Sequence, residues 1–385
     1  MSPHRPSVSA CRRGRAVTAA LAVCLGLSSV ATAQITSGPD PSTYYAGLRQ
    51  QMARDRSPEP TLTRLLSELE RSLVPPGFAD DFTNCPVTPP GGIPGVTNPG
   101  FYFLSEILPA GISPTDSTCG HLLRCFLGQM VAHQQNPAAN PPSPHSEATL
   151  IVDRMCSVRE TLVLPNRFVL AGVGIEGRGV LVFDLPDGQP AIRFAPAADS
   201  DSRFVTIRDL NLVGASCCGQ VGIDVRHSSL VSLERLRLHG FGYGVVGEMS
   251  YSIHIDDSAI HDNGIDLVLG EDSTAWRVRD TLIKQGGLIG AVFLPTARGN
   301  LFSGVRVEQN PVTGIYQRGL MNVVENGWFE GNGIGFGDHG IQHTASARHN
   351  RVLGNLFSTE DVLAPAVTQT QLCFNVDAGL ALNNC

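Results

Sequence analysis

When the 385-residue sequence is aligned on its recurring apolar positions, reactive side chains fall into one column. One residue after such a position stand Val213, His239, His261, Lys284, Glu308, Glu330 and Ser358; two residues before them, on the same face, come Arg237, Arg306 and Trp328. Lys284 or His261 could abstract a proton beside a neutralised carboxylate. Glu308 and Glu330 would stand about 5 Å apart on neighbouring strands. That separation suits the carboxylate pair of a retaining glycosidase, one member of which should carry a raised pKa. Arg237, Arg306 and His239 could hold uronate or sulfate groups, and Trp328 could stack on a sugar face. The plain alternative is a solvated polar face, with Lys284 and Glu308 as a cross-strand ion pair of small value.

The elements that would position these residues come from a repeat. Seven copies of one pattern start at residues 203, 230, 252, 275, 300, 322 and 350, roughly 22 to 28 residues apart, which is the mark of an array of stacked units. One apolar column reads Ile207, Leu233, Ile255, Val278, Phe302, Val324, Val352. A second reads Leu212, Leu238, Ile260, Ile283, Val307, Phe329, Phe357. Between them lies a corner column of Asp209, Arg235, Asp257, Asp280, Gly304, Asn326 and Gly354. Apolar and polar residues alternate on both sides of that corner, which is the period of a strand. Most copies add a third strand, as at 222–225 and 265–269. Three short strands per turn of this length predict an all-β, right-handed parallel β-helix; leucine-rich repeats would need denser leucine and a helix in each unit.

The segment 162–174, with Leu162–Pro165 followed by Phe168–Gly174, and the repeated Ile-x-Asp-x-x-Leu-x-Gly turns resemble the entry of pectate-lyase-like β-helix proteins. The resemblance covers roughly 148–360. It implies the fold, while the superfamily's chemistry ranges over lyases, glycoside hydrolases, uronate epimerases, phage tailspikes and non-catalytic adhesins, so fold alone does not deliver function. The polygalacturonase pattern is incomplete: Asp256-Asp257 is present without its companion motifs, and Asp257 occupies a corner position, which favours turn-making. Calcium pectate lyase signatures are missing.

Residues 1–33 read as a secretory signal peptide, with Arg5, Arg12, Arg13 and Arg15 before an apolar run and cleavage after Ala33. A secreted or periplasmic location follows. The run is short for a membrane span. A formal charge of −7, with no long basic run beyond the N-terminus, argues against nucleic acid or an anionic membrane as partner. Removing Cys11 and Cys24 from the 10 cysteines leaves eight, Cys85, Cys119, Cys125, Cys156, Cys217, Cys218, Cys373 and Cys385, an even number that in an exported chain favours disulfides. Short loops favour Cys119–Cys125 and Cys373–Cys385, leaving Cys85 for Cys156, with Cys217 and Cys218 as a vicinal pair or paired elsewhere. The spacings do not form a zinc site.

The remaining organisation follows in chain order. Residues 34–84 form a helical extension: a short helix near 44–53, then one capped by Ser57-Pro58 with Leu62, Leu65, Leu66, Leu69 and Leu73 at helical spacing. It is expected to close an open end of the solenoid, shielding strand edges; the alternative is a trimerisation or partner helix. Residues 85–147 are a Pro/Gly-rich linker with a helix near His121–His133, residues 148–360 the β-helix, and 361–385 a C-terminal cap.

Three lesser constellations remain. A second ladder, Arg208, Glu234, Asp256, Arg279, Ser303 and Glu325 beside His254 and Arg277, alternates in charge as a solvated face would. Asp338, His339, His343 and His349 share the longest insertion between units, where a binding or catalytic role is the sharper reading. Asn263, Asn310 and Asn332 predict a structural asparagine ladder. No metal cluster is evident and no cofactor is implied, although carboxylate ladders could hold Ca²⁺. The expected function is a carbohydrate-active protein acting on an extracellular, acidic polysaccharide by lyase or hydrolase chemistry. The alternatives are a non-catalytic surface or glycan-binding β-helix and a uronate epimerase.

Overall fold

The computed structural model describes residues 41–55, 57–72, 101–108, 111, 113, 117–135, 148–173, 179–194, 204–215, 219–334, 336, 339–358, 361–363, 369–377 and 380–383. The proposed signal peptide, Leu73, Cys85, Cys217, Cys218, Asp338 and Cys385 lie outside these residues. Three sheets of 11, 9 and 11 strands wind around one interior, and successive turns pair in parallel. The crossovers are right-handed, as parallel connections almost always are.

The repeat columns are the interior. Ile207, Leu233, Ile255, Val278, Phe302, Val324 and Val352 pair rung to rung in the first sheet. Leu212 through Phe357 do so in the second. All are buried in a single core. The third sheet adds Ile223, Val245, Leu267, Ala291, Ile315 and Ile341. The corner between the first and second sheets is left-handed at every position, with φ of 57° at Asp209, 49° at Arg235 and Asp257, 48° at Asp280, 65° at Gly304, 53° at Asn326 and 61° at Gly354. Such backbone is strained for residues with a Cβ. It persists because each corner N–H donates to a carbonyl of the next rung, for example Asp257 to Arg279 at 3.2 Å and Asn326 to Leu353 at 3.0 Å.

Asparagines close the interior corners. The expected ladder is present: Phe241 N–H donates to Asn263 Oδ1, Gly286 N–H to Asn310 Oδ1, and Asn310 N–H to Asn332 Oδ1. A second ladder of Asn300, Asn322 and Asn350 precedes the first-sheet strands. Asn355 and Asn375 do the same work between the first and second sheets. Each amide accepts from the rung below and donates to a carbonyl, so buried backbone groups that a sharp corner would orphan are paired.

Four helices complete the described chain: α1 (Pro41–Arg54), α2 (Glu59–Ser72), α3 (Leu104–Ile107) and α4 (Ser117–Gln135). The Ser57 hydroxyl accepts from Glu59 N–H at 3.2 Å, as the sequence suggests. The helical pair α1–α2 does not close an end of the solenoid. Leu48, Met52, Leu62, Leu65, Leu66 and Leu69 pack on the outer face of the third sheet, over Val221, Tyr243, Val246, Ile265, Val268, Ile289, Val292 and Tyr316. That outer face is apolar, unlike those of the other two sheets, and would otherwise lie in water. The first turn is covered by α4, whose Leu122, Leu123, Phe126, Leu127 and Met130 join the interior core. No helix among the described residues is long and apolar enough to cross a membrane.

The expected pairings Cys119–Cys125 and Cys85–Cys156 are corrected by a Cys119–Cys156 disulfide, Cα atoms 5.7 Å apart, tying α4 to the first strand of the second sheet. Cys119 and Cys125 both lie in α4, and six residues of helix rise about 9 Å, too far to bridge. Cys125 and Cys373 are also in disulfides.

Two predictions follow from this interior. Asn322→Ala strips partners from the Asn300 N–H and the Ala297 carbonyl and should cost about 3 kcal/mol, read from the urea midpoint at constant slope. His343 is 3% exposed and neither ring nitrogen has a hydrogen-bond partner. Burial pushes it down to about 4 from 6.5. Between those values the unfolded chain takes up a proton that the folded chain does not, so stability should fall as pH drops through that window. His343→Leu should flatten the fall in thermal melts recorded across it.

Candidate functional site

The chemistry-bearing column is placed as the repeat requires. His239 pairs with His261, His261 with Lys284, Lys284 with Glu308 and Glu308 with Glu330. In these strands of the second sheet only the middle residue turns inward, so the two flanking residues face out, and Arg237, Arg306 and Trp328 take the other outward positions. The result is one strip of side chains running along the solenoid.

Its members engage one another. The His239 and His261 rings stack at 5.0 Å with 7° between their planes. Burial, then the neighbouring His261, pull the His239 pKa down. His261 Nδ1 lies 2.7 Å from Asp262 Oδ2. Lys284 Nζ is 3.5 Å from Glu308 Oε2, while Arg306 donates to the other carboxylate oxygen. Glu308 is only 8% exposed, against 29% for Lys284 and 63% for Arg306. Trp328 is 40% exposed and its indole N–H donates to Glu330 Oε2 at 3.1 Å. The proposed carboxylate pair is thus divided between two settings, Glu308 held by two cations and Glu330 by an indole on the open surface.

His339–His343 forms a strand of the third sheet, with Ile341 paired to Ile315 and His343 turned inward. His349 sits at a left-handed corner just before the first sheet. The histidines of the longest insertion are therefore dispersed over inside and outside positions. The second ladder, on the first sheet, is a self-paired face: Arg279 holds Asp256 at 2.9 Å and the Ser303 hydroxyl donates to Glu325 at 3.2 Å, while at the corner beside it Arg235 holds Asp209 through two hydrogen bonds. Burial, then Arg277, pull the His254 pKa down. Among the described residues, no group of three or more His, Cys, Asp and Glu side chains could hold a metal ion.

One buried acid had a readable signal. The third-sheet strands carry a glycine column, Gly222, Gly244, Gly290, Gly314 and Gly340, where an added Cβ would meet the next rung or the core within 2.9 Å. Asp266 replaces glycine in that column and is fully buried. One rung later Gly286 interrupts the asparagine ladder. Asp266 fills the gap, accepting from the Asn263 side chain at 2.9 Å and from the Asn263 backbone. Burial raises its pKa well above the usual carboxylate range. The two departures from the columns compensate each other, and the acid is structural.

Comparison with known proteins agrees with this geometry. Residues 217–377 match the family model described as periplasmic copper-binding protein (NosD). No curated protein sequence matches the chain. Among solved structures, DFA-IIIase from Arthrobacter chlorophenolicus A6 in complex with GF2 is 15% identical, covers 73% of this chain and 74% of its own, and superposes with a TM-score of 0.54. A mutant of that enzyme in complex with DFA-III gives 15% identity, 74% and 72% coverage and a TM-score of 0.55. The same enzyme without its lid gives 14%, 74%, 76% and 0.51. At such identities the likeness concerns the backbone.

In the strip's central ion pair the Lys284 ammonium still reaches solvent, its contact with Glu308 is long at 3.5 Å, and Glu308 is also held by Arg306. A Lys284→Met, Glu308→Gln double-mutant cycle on unfolding free energy should therefore give a coupling below about 1 kcal/mol, with Arg306 retaining part of the load; a coupling of several kcal/mol would mean a desolvated pair. In fold, the chain is a right-handed parallel β-helix.

Proposed function

We propose that this chain is an exported protein that engages an extracellular polysaccharide along the outer face of its second sheet. The observation that carries the reading is the in-register strip from Arg237 and His239 to Trp328 and Glu330, with an exposed indole at one end. An aromatic face beside paired donors and acceptors suits sugar rings and their hydroxyls. The charge balance refines the expectation of an acidic ligand. Arg237, Lys284 and Arg306 are opposed by Glu308, Glu330 and Asp262, so recognition rests on stacking and hydroxyl hydrogen bonds more than on net charge. Export rests on the pattern of residues 1–33 and is supported by the match to a family described as periplasmic. The copper in that description finds no support in the dispersed histidines described above.

Cleavage of the glycan is the second reading. Glu308, nearly buried yet ion-paired to Lys284, favours it, since a carboxylate and an amine in contact are groups that proton transfer uses. Two arms test both readings. Affinity electrophoresis of the purified chain through gels of neutral and uronate polymers should show retardation on at least one of them, about fivefold weaker for Trp328→Ala. Product assays on the retarding polymer, with and without Ca²⁺, then decide the chemistry. Unsaturated products that vanish in Lys284→Ala mean a lyase, and new reducing ends alone mean a hydrolase using Glu308 and Glu330. Retardation without products leaves a binding protein, and no retardation by any polymer would sink the proposal.

A further inference from the structure

We propose that the chain carries a site for a small primary aliphatic amine, in a notch at Gly270 between α2 and the third sheet. The notch belongs to a different sheet from the second-sheet strip, and it does not rest on the polysaccharide reading.

The notch comes from a missing side chain. Past the ends of the third-sheet strands the register continues, with Gly270 N–H donating to the Gly247 carbonyl, Leu294 N–H to Leu269 and Arg318 N–H to Phe293. It sets Arg226, Glu248, Gly270, Leu294 and Arg318 in one column on successive rungs. Four of these carry long side chains and the third carries none. Glycine is required there. An added Cβ would lie 2.4 Å from the Gly247 carbonyl oxygen of the rung before and 3.1 Å from Glu248 Cβ. The gap cannot be filled from its own position.

Its walls are apolar. Val246 and Val268 form the floor, Leu294 one side, and Leu66 and Leu69 of α2 the other. None of the five is more than 8% exposed. Measured at the centre of a water-sized sphere, the space is about 20 Å³. One water would fit, but a water needs two to four polar partners, and the floor offers none. Such a space takes a single unbranched aliphatic chain and rejects rings and branches. Val246 and Val268 stand on adjacent rungs, about 4.8 Å apart, which a chain of about four carbons spans.

The mouth sets the charge. It is lined by Arg226, Glu248 and Glu271. The Arg226 guanidinium is engaged by Asp224 through two hydrogen bonds of 2.9 Å. The Glu248 and Glu271 carboxylates have no hydrogen bond or ion pair among the described residues. Two uncompensated carboxylates over an apolar floor call for a cation on an aliphatic stem. An ammonium sits at the mouth between the two acids, with its chain directed inward. A carboxylate or phosphate group would be repelled, and an alcohol would fill the floor without answering the charge.

The test follows leucine and valine methyl resonances of the full chain while unbranched amines from ethylamine to octylamine, and the matching alcohols, are titrated in. Signals of Leu66, Leu69, Val246, Val268 and Leu294 should shift. Affinity should rise about threefold per added carbon up to butylamine, the scale of a largely buried methylene, and stop rising by hexylamine. Butylamine should bind about fivefold more tightly than butanol, and the difference should shrink in high salt. Glu248→Gln and Glu271→Gln should each weaken butylamine about threefold and leave butanol unchanged; both positions are at the surface, and unchanged thermal melts confirm the fold. Leu69→Phe should fill the notch and abolish both. Absence of methyl shifts with every amine, equal binding of amine and alcohol, or undiminished amine binding when both glutamates are replaced would overturn the site. N-acetyl-lysine amide, which branches beyond its fourth carbon, should bind no better than butylamine; tighter binding would assign the notch to a peptide side chain and overturn the small-molecule occupant.

Discussion

Parallel rung-to-rung hydrogen bonding is the constraint on which the molecule depends. Every strand is held by the turns before and after it, so each residue must sit directly over its counterpart about 4.8 Å away. A corner cannot wander without breaking bonds to two neighbours. This is why Asp209, Arg235, Asp257 and Asp280 adopt left-handed backbone that none would choose alone. It is also why asparagines recur inside the corners, where one amide can serve the rung below and the turn behind it. The glycine column answers the same requirement from the other side, since a methyl group at Gly314 would meet the carbonyl of Gly340 at 2.5 Å.

Stacking turns single substitutions into rows on the surface. The outward columns of the first two sheets are polar, but they differ in use. On the first sheet opposite charges pair with each other, as Asp256 does with Arg279. On the second sheet an exposed indole, stacked imidazoles and a nearly buried glutamate share one strip. The third sheet presents valine, isoleucine and tyrosine outward and is covered by α1 and α2. Polar anchors fix that cover, with Glu59 reaching Arg318 at 3.1 Å and also accepting from the Tyr316 hydroxyl. A solenoid also has ends, which expose apolar core and unpaired strand edges. Here α4 covers the first turn, and the antiparallel strand Leu380–Asn383 pairs on Asn375–Asp377 at the other end.

Much of this was legible before any coordinates. The inward columns, the corner column and the register of the strip from His239 to Glu330 all follow from the period, because in a stacked array residues one period apart share one environment. Asp266 was legible in principle as the one acid in a column of glycines. The copper-family match and the DFA-IIIase structures add agreement on the backbone and leave the strip to be judged by its own residues. The reading of 336–349 as a functional loop did not hold its histidines together, since His343 is buried in a third-sheet strand while His349 sits at a left-handed corner before the first sheet.

The sequence by itself determined the repeat, the three strands of each turn, and which side chains stack in rows, because these depend on interactions between positions a fixed distance apart in the chain. Tertiary structure alone decided what covers the array. The packing of residues 41–72 on the third sheet, the Cys119–Cys156 bond and the full burial of His343 and Asp266 join segments separated by no period. The helical spacing of Leu62, Leu65, Leu66 and Leu69 announces that a face must be buried. Hydrophobic burial is non-directional, so that spacing could not say whether an end or a flank of the solenoid would receive it.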